Sequence, residues 1–277
     1  MNHASFHFTR GKLPLLISIP HLGTAIPPDL KARMTDAATG VADTDWHLDQ
    51  LYETVAATGA SVISACVSRY VIDLNRPPDG ASLYPGQTTT GLCPLETFHG
   101  EPLYRAGQEP DDAEIARRLD TYWHPYHAAL RAELDSLRRR HGFALLWEAH
   151  SINGFLPRLF DGALPDLNFG TADGKSCAYA VAQAVEEAAR EAPYSWVLNG
   201  RFKGGYITRH YGNPAGGIHA VQLEMSQRIY MNESEPFDYV PERARQVQPV
   251  LQALVESALA AARHVTAEKY LPTGAHV

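Results

Sequence analysis

Two apolar runs in this chain stop abruptly at a histidine. They are Pro14-Leu15-Leu16-Ile17-Ser18-Ile19-Pro20-His21 and Phe143-Ala144-Leu145-Leu146-Trp147-Glu148-Ala149-His150. Short apolar runs bounded by turn residues predict strands buried on both faces, the kind found in parallel sheets covered by helices. Ligands of open α/β sheets bind just beyond the carboxyl ends of the strands. Two such ends that each present an imidazole point to a metal or catalytic site at the rim of the sheet. Taken singly, each histidine is explained as well by a hydrogen bond to a loop.

The rest of the chain alternates in the same way. Further strands are predicted over 61–66, 196–198 and 218–223, with a strand-like run at Arg69-Tyr70-Val71-Ile72-Asp73-Leu74-Asn75-Arg76. Helical spacing of apolar residues marks a helix starting near Asp45, a long one over 111–140, one over 175–191 and one over 241–263. Gly142 stands where a C-terminal glycine cap belongs. Two stretches, 77–110 and 153–174, are rich in proline and glycine and read as loops, and one as long as 77–110 is more often functional than neutral. The alternation predicts an α/β fold: a single three-layer domain over 1–277, its mostly parallel or mixed central sheet covered by helices on both faces.

Charge and cysteine usage narrow the class. A net charge of −7 over 277 residues argues against nucleic acid or an anionic membrane surface as the main partner. The basic run Arg138-Arg139-Arg140 falls at a helix end, where it complements the dipole. The three cysteines, Cys66, Cys93 and Cys177, are too far apart for a thiolate zinc site. An odd count, no secretory signal and no run long enough to span a membrane predict a cytoplasmic protein.

Four groups of residues can carry chemistry. Asp43 and Asp45 fall at a predicted helix start, where an aspartate needs no function beyond capping, and that suffices for Asp43. Asp45, close after the His21 loop, completes a His21, Asp45, His150 set, the usual catalytic zinc arrangement with one position open. Arg69, Asn75 and Arg76 could orient a dicarboxylate through bidentate forks, or the arginines could simply pair with Asp73 or Asp79. The segment Asn199-Gly200-Arg201-Phe202-Lys203-Gly204-Gly205-Tyr206-Ile207-Thr208-Arg209 could be an anion-binding loop or a basic surface hairpin. Glu224, ending an apolar run, could take a proton from an activated water or balance an arginine. Glu148 is expected on the side of its strand opposite His150, in an ion pair or supporting role. His124 and His127 on the long helix are read as packing or supporting groups.

With these segments in place, the chain resembles the N-formylglutamate deformylase (N-formylglutamate amidohydrolase) family of bacterial histidine degradation. The likeness runs from Ile19-Pro20-His21-Leu22-Gly23-Thr24 to Gln222-Leu223-Glu224. It passes through Asp43-Thr44-Asp45-Trp46, the 68–76 segment, Leu83-Tyr84-Pro85-Gly86-Gln87, Glu148-Ala149-His150-Ser151-Ile152, Leu164-Pro165-Asp166-Leu167-Asn168 and Gly200-Arg201-Phe202-Lys203-Gly204-Gly205. A more distant likeness is to the zinc carboxypeptidases, through His150-Ser151, Asn75-Arg76 and Glu224. It breaks at the first ligand pair, where Thr24 stands in place of a glutamate three residues after the histidine. That leaves the carboxylate ligand unassigned, with Asp45 the candidate and Glu148 next in line.

The resemblance implies a zinc-carboxypeptidase-like fold and the hydrolysis of N-formyl-L-glutamate to L-glutamate and formate. It implies one divalent ion on His21, Asp45 and His150, zinc first, although cobalt, nickel or manganese would suit the same ligands. Glu224 would be the general base, and Arg69, Asn75, Arg76, Arg201, Lys203 and Arg209 would hold the substrate's two carboxylates. Two other readings stay open: an amidohydrolase acting on another N-acyl acidic amino acid or short peptide, and a non-catalytic acidic amino-acid-binding protein.

Overall fold

The computed structural model describes residues 5–83, 86 and 89–270, the last two by backbone alone. Seven strands form one mixed sheet: β1 (Phe6–Thr9), β2 (Leu15–Ile19), β3 (Ser61–Ala65), β4 (Ala144–Ile152), β5 (Leu167–Gly170), β6 (Trp196–Leu198) and β7 (Ile218–Ser226). Their spatial order is β1-β3-β2-β4-β7-β5-β6. The middle run β3-β2-β4-β7 is parallel. β1 adds antiparallel to β3, and β5 adds antiparallel to β7. The mixed alternative is therefore the correct one.

The helices are α1 (Pro28–Lys31), α2 (Asp36–Thr39), α3 (Leu48–Leu51), α4 (Glu53–Ala57), α5 (Asp112–Arg118), α6 (His124–His141), α7 (Tyr179–Arg190), α8 (Tyr206–Tyr211) and α9 (Pro241–Tyr270). Alternation along the central strands sends side chains to two separate cores. Leu15, Ile17 and Ile19 of β2 join Leu145, Trp147 and Ala149 of β4 in a core with α3, α4, α7 and α9. Leu16 and Leu146 point the other way, into a core with α6 and α8. All nine residues of β4 and of β7 are buried, as strands covered on both faces must be.

The long helix is two helices joined through a π-turn, Leu119–Trp123. That turn places the Trp123 indole N–H 3.0 Å from the Arg76 carbonyl, to which it donates. The ring of His127, one turn on, stacks on Trp123, and its Nε2 lies 2.9 Å from the Leu74 carbonyl. Gly142 ends α6 with φ 83°, as its sequence position predicted.

Three local expectations need correction. The 69–76 run is a buried loop with no strand partner; its Leu74 and Arg76 carbonyls are taken by His127 and Trp123. The helix expected near Asp45 begins at Leu48, and the Asp43 carboxylate accepts from the Phe98 N–H at 2.8 Å, so it is not a cap. Strand β5 lies inside the segment read as the loop 153–174, because Pro165 and the neighbouring glycines mask a four-residue strand.

Candidate active site

His21 follows β2, and the Asp45 N–H donates to the His21 carbonyl at 3.0 Å. This bond brings the Asp43–Asp45 turn to the end of β2. Val41 (φ 44°) and His47 (φ 60°) bracket that turn in the left-handed region, a strained backbone of the kind held at functional sites. His150 comes from inside β4, which continues to Ile152. Its ring centroid is 4.8 Å from that of His21.

Each imidazole has two different neighbours. His21 Nε2 is 2.6 Å from Asp73 Oδ1, and His150 Nε2 is 3.0 Å from Glu148 Oε1. On the inner side, His150 Nδ1 is 2.9 Å and His21 Nδ1 3.6 Å from Asp45 Oδ2. A carboxylate that accepts from Nε2–H fixes the tautomer and leaves the Nδ1 lone pair for the centre, the pattern of metal-ligating histidines. His21 Nδ1 and Asp45 Oδ1 are buried atoms without a hydrogen-bond partner. Ligand atoms of His21, Asp45 and His150 lie within 4.8 Å of one another. Buried polar atoms of this kind call for a partner, and two imidazoles with one carboxylate suit a divalent transition ion with an open position.

Glu148 shares a face with His150, contrary to expectation, because strand side chains repeat every second residue. Its Oε2 accepts from the Thr208 N–H at 3.0 Å and from the Thr208 hydroxyl. Asn75 Oδ1 accepts from the Ile207 N–H at 2.8 Å, while its amide lies 3.0 Å from His150 Nε2. The start of α8 thus anchors two residues that touch His150. Gly205 allows this approach: a Cβ there would overlap the Asn75 carboxamide.

Glu224 on β7 is the register partner of His150 and lines the same cavity. Burial raises its pKa, and the nearby Asp45 and Glu148 push the same way against His150 and Arg69. For Asp45, burial works against the anion, but His21 and His150 outweigh it and its pKa is lowered. For His150, burial disfavours the cation, but Asp45 and Glu148 outweigh it and the pKa stands well above normal. Asp73 is likewise held low, since Arg76, His21 and Arg69 overcome its burial.

The predicted anion-binding residues separate. Arg69, Asn75, Arg76 and Arg201 line the cavity with His21, His150 and Glu224 and with the apolar side chains of Phe98, Ile152, Leu159 and Phe202. Arg69 is also paired with Asp73 at 3.0 Å, and Arg76 lies 3.7 Å from the same carboxylate, so the ion-pair reading of these arginines holds alongside the other. Lys203 instead pairs with Asp173 at 3.1 Å, and Arg209 Nε donates to the Gly204 carbonyl at 2.7 Å; neither lines this cavity. Sequence reasoning named Asp73 only as a counter-ion, placed Thr208 in the anion-binding segment without its contact to Glu148, and missed Phe98 altogether. The signal for Asp73 was its place beside Asn75-Arg76.

Comparisons with known proteins identify the family of the chain. A family model described as N-formylglutamate amidohydrolase matches residues 13–231. N-formylglutamate deformylase of Pseudomonas putida is 52% identical over 257 residues, covering 92% of this chain and 95% of that protein. The Pseudomonas aeruginosa deformylase is 50% identical over 254 residues, covering 91% and 95%. Among solved structures, N-formylglutamate amidohydrolase from Ralstonia eutropha JMP134 superposes with a TM-score of 0.79 at 26% identity, covering 96% of this chain and all of that one. The gene product Atu2144 from Agrobacterium tumefaciens shares the fold, with a TM-score of 0.71 at 18% identity, covering 94% and 96%. No helix among the described residues is long and apolar enough to cross a membrane.

Proposed function

The chain belongs to the N-formylglutamate amidohydrolase family, and from that premise we propose that it hydrolyses N-formyl-L-glutamate to L-glutamate and formate. The reaction uses one divalent metal ion, zinc first, held by His21, Asp45 and His150, and the chain acts as a single domain in histidine degradation. The observation that carries this reading is the buried His21, Asp45, His150 triangle with Glu224 in register beside His150, in a cavity lined by arginines.

When bound, such an ion polarises the formyl oxygen and acidifies water. Glu224 takes the proton of the attacking water and delivers it to the departing amine nitrogen. Its raised pKa suits both halves of that transfer, since the carboxyl must be able to hold the proton between them. Asp73 and Glu148 keep the two imidazoles in the ligating tautomer. Arg69 and Arg76, with Asn75, and Arg201 hold the carboxylates, and charge-assisted forks there fix the amide against Glu224. Lys203 and Arg209, beyond the cavity wall, support the loop that carries Arg201 and contribute to the field that attracts a dianion.

Formate release tests the reading, measured on N-formyl-L-glutamate, N-formyl-L-aspartate and N-acetyl-L-glutamate with and without a chelator. The expected result is turnover strongest on N-formyl-L-glutamate, abolished by chelation and restored by zinc. Turnover that survives complete metal removal overturns the metal assignment. Zinc binding with no formate from any substrate makes the protein a binder of acidic amino acids.

A further inference from the structure

Gln222 lies two residues before Glu224 on β7, so both side chains leave the same face of the sheet. It is buried and lines the catalytic cavity together with Gly205 and Arg201. The Gly205 N–H donates to its Oε1 at 2.7 Å. An N–H requires an oxygen acceptor, so this bond fixes which end of the carboxamide is which. The NH2 end is the other one, and the described residues give it no acceptor. That amide nitrogen is not one of the fully sealed polar atoms left without a partner, so it is reached from the cavity that Gln222 lines. The cavity is the space left to it, and what enters there must bring an acceptor.

Position decides which acceptor. Two residues along a strand advance about 6.6 Å, so Gln222 sits one row deeper than Glu224, at whose row the reacting amide must lie. In an N-formyl amino acid, one carbon separates the amide nitrogen from the α-carboxylate carbon. Three carbons separate it from the side-chain carboxylate of glutamate. Only the longer reach spans a full row. We propose that Gln222 donates an amide N–H to the side-chain carboxylate of the substrate and thereby selects an acidic amino acid of glutamate length. This inference rests on the reaction assigned above. A neutral, oriented donor adds length and shape selectivity to the charge supplied by the arginines.

Two variants test it. Gln222→Met keeps the bulk and removes the donor; Gln222→Glu keeps an acceptor for the Gly205 N–H but turns the donor end into an acceptor. The zinc-loaded wild type and both variants are assayed for formate release from N-formyl-L-glutamate, N-formyl-L-glutamine and N-formyl-L-norleucine, and for L-glutamate and L-norleucine binding by calorimetry. In Gln222→Met the kcat/KM ratio of the glutamate to the norleucine substrate should fall about 10–100-fold, mainly through KM, the range for one hydrogen bond to a charged group. In Gln222→Glu, preference should pass to the glutamine substrate, whose amide can donate. An unchanged ratio, or equal losses on all three substrates with normal zinc content, overturns the inference. If the wild type releases no formate, the reaction assignment fails. The role of Gln222 is then decided by whether Gln222→Met weakens L-glutamate binding more than norleucine binding.

Discussion

Glu224 has a raised pKa chiefly because its carboxylate is buried, with Asp45 and Glu148 adding like charge. As the proposed general base, Glu224 must be ionised to act, so activity should be lost as pH falls through that pKa. The acidic limb of the kcat/KM profile is therefore expected above the ordinary glutamate value of about 4.3. Glu224→Gln keeps the shape but cannot accept a proton. It should lower kcat by about 10²–10⁴-fold with zinc content at the wild-type level, and it should remove that limb. Near-wild-type kcat would transfer the base role to another group, and loss of metal would make Glu224 a ligand. The proposed ligands should behave oppositely: His21→Ala and His150→Ala are expected to lose zinc and turnover together. Asp73→Asn tests the outer carboxylate. It keeps the size while weakening the hold on His21 Nε2, and zinc affinity should drop about 10–100-fold in a chelator competition.

Three elements meet at His150: β4 carries it, β7 sets Glu224 opposite, and the start of α8 holds Glu148 and Asn75 through the Thr208 and Ile207 N–H groups. The neighbouring turn is the sensitive point, because Gly205 packs against the Asn75 carboxamide with no room for a methyl group. Gly205→Ala should destabilise the fold by about 1–3 kcal/mol in urea titration, the cost of overpacking a tight site. It should also lower kcat/KM by moving Asn75 away from His150. A variant with wild-type stability and wild-type kcat/KM would show that α8 can shift without consequence. On the far side, the π-turn before α6 does comparable work for the 73–76 loop, whose Arg76 and Leu74 carbonyls have no sheet ladder and are held by Trp123 and by His127 of α6.

Across the whole molecule, the proposed metal and a proton compete for the same centre. In the metal-free protein His150 keeps its proton to well above its ordinary pKa, since Asp45 and Glu148 outweigh burial. The protonated form stabilises the metal-free fold fully below the unfolded-state value of about 6.5, and that contribution is lost as pH rises through the higher folded pKa. A metal ion must displace the proton, so zinc affinity should strengthen with pH by about one proton per ion below the folded pKa. Zinc competition at pH 6 and pH 8, with thermal melts of both forms, checks this. The expected result is tighter zinc at pH 8 and a Tm difference between loaded and stripped protein that widens toward pH 8. A pH-independent affinity would show that His150 is neutral before the metal arrives.

The sequence by itself determined the layered α/β architecture, because buried strands and amphipathic helices write their burial into apolar periodicity. It also pointed to His21, Asp45, His150 and Glu224, because these residues stand at or near the ends of apolar runs and in motifs shared with a family. Spacing along the chain could say nothing about which nitrogen of each histidine faces inward. That depends on Asp73 and Glu148, and Asp73 is 52 residues from the His21 it contacts. Nor could it sort the cations. Arg201 and Lys203 are two residues apart, yet one lines the cavity and the other pairs with Asp173. The 69–76 run has the residue types of a strand, but its backbone partners are scattered: Trp123 and His127 side chains for the Arg76 and Leu74 carbonyls, the Leu92 carbonyl for the Asp73 N–H and the Tyr206 N–H for the Asn75 carbonyl, and only packing brings those together. Local chemistry is legible from neighbours in sequence, whereas a site assembled from strands β4 and β7, three loops and a π-turn is decided by which groups the folded core forces into contact.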